Sequence, residues 1–170
     1  MKYYTLFLSL FILLACKQNN SKKNLSKVKE NDQIEVYNFD QLDSVISSNM
    51  EKALIVNFWA TWCKPCIKEL PYFEQAQSKY EGDIKVILVS LDFANKLESQ
   101  LIPFVGEKGL ESQVILLDDP YENEWIPKVD STWSGAIPAT LMIDQDKRIF
   151  YEKSFSEDEL EVEILKFIKT

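Results

Sequence analysis

Two cysteines stand three positions apart in a chain that has three cysteines in all and no histidine. Cys63 and Cys66 lie in NFWATWCKPCIKELP, residues 57–71, where a continuous apolar run gives way to a polar stretch. Such a pair can hold a metal, staple the backbone, or cycle between dithiol and disulfide. Zinc wants about four ligands, and this region offers two thiols and no imidazole. A static staple closing so short a loop would stabilise little. The third possibility suits the position. A helix beginning at Cys63 turns its free N–H groups and the positive end of its dipole toward the sulfur. The Cys63 thiol is then expected to ionise more easily than a free one. Cys66, one turn further along and nearer the core, is expected to keep its proton longer. Cys63 is therefore the candidate nucleophile toward a substrate disulfide, and Cys66 the candidate resolving thiol.

Holding this pair requires particular elements before and after it. ALIVNFWA (53–60) is a nearly continuous apolar run, suited to a buried central strand. KPCIKELPYFEQAQSKY (64–80) predicts a helix with Pro71 inside it, hence a kink. Upstream, IEVYNF (34–39) alternates like a strand, and 40–50 predicts a helix capped by Asp40. Downstream, 84–92 predicts a second buried strand and 94–110 a helix interrupted by Pro103. Residues 114–117 predict a short strand. Residues 118–136, with two prolines, many acids and two tryptophans, predict a loop with at most a helical turn. PATLMID (138–144) and RIFYEKSF (148–155) predict a hairpin. Residues 156–169 predict a final helix with a Ser156–Glu159 capping box and a buried stripe of Leu160, Ile164, Leu165 and Ile168. This order predicts an α/β fold: a central mixed sheet flanked by helices on both faces, closing with a β-hairpin and a C-terminal helix.

The first 33 residues do not fit that domain. Lys2 precedes the ten-residue apolar run 6–15, well short of the roughly 20 residues of a permanent span; a charged start, short apolar core and small Ala15 describe a signal segment, 1–15. Residues 16–33 are polar and lysine-rich with almost no large apolar residues, a flexible tether that cannot form a core. The remaining 34–170 carry 13 basic and 25 acidic side chains, a net of −12 against −8 for the whole chain. A surface so acidic repels phosphate backbones, which argues against nucleic acid as a partner.

Short motifs add resemblances. LLAC (13–16) resembles a bacterial lipobox, which implies cleavage before Cys16 and a lipid on its sulfur. FWATWCKPC resembles the active site of the thioredoxin superfamily. The longer NFWATWCKPCIKELP is most similar to exported, membrane-tethered thiol-disulfide oxidoreductases of the TlpA/ResA type. The resemblance spans 34–170 in element order and implies a thioredoxin-like fold. It also implies that Pro138, in GAIP (135–138), is a cis-proline opposite the cysteines, with the Ile137 backbone placed to pair with an extended substrate. Trp62, Lys64 and Pro65 would contact substrate, and Trp59 would shield the site. Asn57 replaces the buried aspartate of cytosolic thioredoxins, and Glu69, three residues past Cys66, becomes the candidate proton relay.

By the same resemblance no cofactor or metal is needed. Partners would be disulfide-containing exported proteins, with apocytochrome c one substrate of the family, and a membrane thiol-transfer protein as electron donor. The place would be the bacterial envelope, on the periplasmic or outer face of a membrane. A thiolate without histidine support points to a reductant rather than an oxidase. Two other functions compete: a thiol peroxidase of the same fold, using Thr61 and the lone arginine Arg148, and a redox-silent binding module.

Overall fold

The computed structural model describes residues 34–169. The expected signal segment (1–15), the lipid attachment at Cys16 and the tether (16–33) lie outside the described residues. Among the described residues no helix is long and apolar enough to cross a membrane.

The elements run β1 (Glu35–Tyr37), α1 (Phe39–Ser48), β2 (Ala53–Trp59), α2 (Lys64–Lys79), β3 (Ile84–Ser90), α3 (Ile102–Lys108), β4 (Gln113–Leu117), α4 (Glu122–Val129), β5 (Ala139–Ile143), β6 (Arg148–Tyr151) and α5 (Glu157–Lys169). The sheet has six strands in the order β1-β4-β3-β2-β5-β6. β1, β4, β3 and β2 are mutually parallel, while β5 runs antiparallel to both β2 and β6. This is the mixed sheet, closed by a hairpin and a helix, that the sequence predicts.

Alternation along β2 builds two cores from one strand. Ala53, Ile55 and Trp59 face one side, with Cys66, Leu70 and Phe73 of α2 and Leu160, Ile164 and Phe167 of α5. Leu54, Val56 and Phe58 face the other, with Phe39, Leu42 and Ile46 of α1 and Trp125 and Val129 of α4. Side chains two apart share a face, so a strand covered on both sides must be apolar throughout. Asn57 is the exception within it, fully buried.

Several local expectations are corrected. α1 begins earlier than predicted: Asn38, not Asp40, caps it, accepting from the Gln41 N–H while the Gln41 side chain accepts from the Asn38 N–H. Residues 94–110 are not one helix. A 3₁₀ turn (Ala94–Lys96) passes into a π-helical turn (Leu97–Leu101) before α3, and Gly109 ends α3 in the left-handed conformation. The expected loop 118–136 contains α4. Glu122 and Glu124 favour its first turn through the helix dipole, and Trp125 and Val129, one turn apart, fill the second core. Pro127 lies inside it, two residues before its end at Val129. β6 ends at Tyr151, short of the predicted 155. In α5 the capping box forms as expected; Leu160 and Ile164 are buried, Ile168 packs partly buried against the core, and Phe167 rather than Leu165 completes the stripe.

Candidate active site

β2 ends at Trp59 in mid-sheet, and four residues later Cys63 opens α2. The turn between them is tightly held. The Cys63 N–H donates to Ala60 O at 3.0 Å. The Thr61 N–H and hydroxyl donate to the two carboxylate oxygens of Asp92, at 3.0 and 2.6 Å. Asp92 itself is buried just past β3 and also accepts from Ser90 Oγ at 2.8 Å, and Gln100 of the π-helical turn donates to Thr61 Oγ1 at 2.5 Å. The chain leaving β2 is thus clamped to the chain leaving β3, which fixes where α2 starts.

Cys63 is the N-cap residue of α2, with Pro65 in the first turn, where its missing N–H costs nothing. Cys63 and Cys66 are joined as a disulfide with Cα atoms 5.3 Å apart. The Cys66 N–H donates to Cys63 Sγ at 3.3 Å, so a helix-terminal amide points at that sulfur. Exposure separates the two: Cys63 keeps 6 % of its surface and Cys66 none. Cys63 Sγ lies 3.8 Å from the Ile137 carbonyl oxygen. The Ile137–Pro138 peptide bond is cis, as the resemblance implies, and Pro138 directly precedes β5. Gly135, two residues before Ile137, has φ +89°, and a Cβ there would meet Ile126 Cδ1 at 3.2 Å. The positive φ favours glycine in the GAIP turn, and a side chain there would also have to displace the tip of Ile126. Trp62, Lys64 and Pro65 are exposed around Cys63, while Trp59 is wholly buried in the core.

Glu69 lies one turn beyond Cys66 on α2 and is fully buried. Burial pushes its carboxyl above the ordinary value, and hydrogen bonds from Phe155 N–H, Asn57 and Ser154 pull partly back. Its Oε2 accepts from Phe155 N–H at 2.7 Å and Ser154 Oγ at 3.1 Å, and its Oε1 from Asn57 Nδ2 at 3.1 Å. Asn57 Nδ2 also reaches Thr140 Oγ1 on β5 at 3.1 Å. Asn57 Oδ1 and Trp59 Nε1 are buried without a hydrogen-bond partner. Sequence reasoning placed Asn57 and Glu69 near the cysteines but missed Thr140, Ser154 and Phe155, which come from β5 and the loop before α5. It also missed the Asp92 clamp. An acid directly after a buried strand was the available signal.

The residues of the peroxidase alternative are engaged elsewhere. The Thr61 hydroxyl is held between Asp92 and Gln100. Arg148 donates to the carbonyls of Lys128 and Val129, and it starts β6 on the rung of Ile143 and Leu54, at the opposite end of β2 from Cys63.

A helix-capping CxxC disulfide beside a cis-proline, on a central mixed sheet, defines a thioredoxin-like protein. The Redoxin family model matches residues 40–166, and the chain belongs to that family. Among curated relatives it is 32% identical to the thioredoxin-like protein YneN of Bacillus subtilis over 102 residues, covering 58% of this chain and 59% of YneN. It is 38% identical to the thiol-disulfide oxidoreductase ResA of Oceanobacillus iheyensis over 114 residues, covering 62% and 59% of the two chains. The chain thus spans little more than half the length of these relatives. Solved structures agree on the fold. A thioredoxin family thiol:disulfide interchange protein from Chlorobium tepidum matches with TM-score 0.57 at 23% identity, over 72% of this chain and 83% of that one. A secreted thiol-disulfide isomerase from Corynebacterium glutamicum matches with TM-score 0.61 at 18% identity, over 74% and 75%.

Proposed function

We propose that this protein is a thiol-disulfide oxidoreductase of the ResA type that reduces disulfides in exported proteins. One observation carries it: a disulfide at a helix N-terminus, its outer cysteine just reaching solvent at 6 % exposure and touched by a helix amide, its inner cysteine fully buried. In the reduced protein the Cys63 thiolate attacks a client disulfide. The Cys63–client bond forms as the client S–S bond breaks, and the departing client sulfur takes up a proton. The Cys66 thiol then gives its proton to the Glu69 carboxylate and attacks Cys63 Sγ. The mixed disulfide breaks, the second client thiol leaves, and the Cys63–Cys66 disulfide remains. A membrane thiol donor returns the two electrons. Trp62, Lys64 and Pro65 contact the client, whose backbone pairs with Ile137 beside Pro138. The signal segment 1–15 directs export and is cleaved before Cys16; a lipid on Cys16 and the tether 16–33 then hold domain 34–170 at the bacterial envelope. Apocytochrome c is one candidate client.

Cys66→Ser tests the mechanism. The variant is expected to accumulate mixed disulfides through Cys63 with exported proteins, and Cys63→Ser none. If Cys66→Ser captures nothing, the proposal fails; if the wild type consumes peroxide instead, the peroxidase alternative replaces it. Direction is read from the reduction potential of the pair. A value near roughly −270 mV marks a reductant and one near roughly −120 mV an oxidase.

A further inference from the structure

The most exposed large apolar residues among those described are Phe93 at 72 %, Tyr121 at 65 % and Trp62 at 59 %. All three are aromatic, and the strand order sets the segments that carry them side by side at one end of the sheet, those of Trp62 and Phe93 leading to the first core and that of Tyr121 to the second. Trp59, Ser90 and Leu116 share one rung across β2, β3 and β4. Trp62 follows that rung by three residues and Phe93 by three, and Tyr121 follows by five. Each therefore stands just past the C-terminal end of one of three adjacent parallel strands. The Thr61–Asp92 hydrogen bonds tie the segment carrying Trp62 to the one carrying Phe93. Tyr121 is fixed by its N–H, which donates to Asp119 Oδ1 at 3.0 Å.

Charge grades along the same edge. Lys64 is exposed beside Cys63, and Lys96 and Glu98 are exposed together just past Phe93. At the far end Asp118, Glu122 and Glu124 are exposed around Tyr121, and the nearby Lys128 lies against Asp40 at 4.0 Å and the Phe39 ring. An apolar row that starts at the outer sulfur and ends among acids fits one kind of occupant.

We propose that Phe93 and Tyr121 extend the client site, seating an extended client segment that carries apolar side chains near its oxidised cysteine and basic ones beyond. This rests on the oxidoreductase function proposed above. Neighbouring strands lie about 4.8 Å apart, so the step from β2 to β4 is roughly 10 Å, the reach of about three extended residues. The apolar side chains should therefore fall within about three residues of the cysteine. A folded client could not lay such a stretch along the edge, so the site selects unfolded or locally extended chains.

The test uses the full-length reduced protein and two synthetic peptides, each with one cysteine in mixed disulfide with glutathione. The first carries Phe two and three positions from the cysteine on both sides, followed by two Lys; the second carries Ser at all those places. The first is expected to be reduced about tenfold faster, the scale of covering one aromatic ring. That preference should collapse in Phe93→Ser/Tyr121→Ser, and in Glu122→Lys/Glu124→Lys it should shrink and lose its salt dependence. Equal rates for the two peptides, or a preference that survives the aromatic double substitution, overturns the inference while leaving the oxidoreductase function standing. Reduction of neither peptide overturns both.

Discussion

Glu69 is the buried carboxyl that the proposed mechanism uses as a base, and its burial has a cost that can be measured. Its folded pKa is raised above 4.5 mainly by desolvation. Between the unfolded and the folded pKa the folded protein therefore holds a proton that the unfolded chain has released. Stability must fall as pH rises from about 4.5 through the folded pKa. Glu69→Gln removes that slope, so urea melts across this range should show the variant gaining on the wild type as pH rises. The same variant lacks a base for the Cys66 proton. Its mixed disulfide with a client is expected to resolve about 10²-fold more slowly, measured by quenched-flow trapping. Asn57 steadies this carboxyl rather than sharing its proton, since an amide does not titrate.

Caps and tryptophans carry the element-level predictions. Ser156→Ala breaks the α5 capping box and is expected to cost about 1 kcal/mol in chemical denaturation. Trp133→Ala is expected to cost about 3–5 kcal/mol, because its ring packs on Phe58 at 4.8 Å, on Trp125 at 5.6 Å and on Phe150 at 5.6 Å. That ring sits in the stretch the sequence marks as a loop, and the reason is physical. Pro120 precedes a helix of only eight residues and Pro127 lies inside it, too little for a periodic signal, and what stabilises α4 is tertiary burial of Trp125 and Val129. The strands around the site were legible because apolar runs such as 53–60 have few alternatives. So was the dithiol, since Cys63 and Cys66 sit where a strand must hand over to a helix. The Glu69 hydrogen bonds were not legible. Asn57, Thr140 and Ser154 are brought together only by β5 pairing antiparallel with β2, and no local pattern announces that register.

Residues 34–169 bury two cores of their own, one on each face of the sheet. A chain truncated to 34–170 is therefore expected to fold cooperatively, with a thermal midpoint matching that of the longer protein. Its net charge of −12 should keep it off anionic vesicles in sedimentation. Full-length protein processed in bacteria should instead fractionate with membranes, and release by Cys16→Ser would show that a lipid holds it there. The division into two cores also divides the four tryptophans. Trp59 shares its core with Cys63 and Cys66 and Trp62 flanks them, while Trp125 and Trp133 lie across the sheet in the other. Opening the sulfur bridge should change the emission of the first pair and leave the second almost untouched. The chain carries its own optical gauge of redox state, with an internal reference on the far side of the sheet.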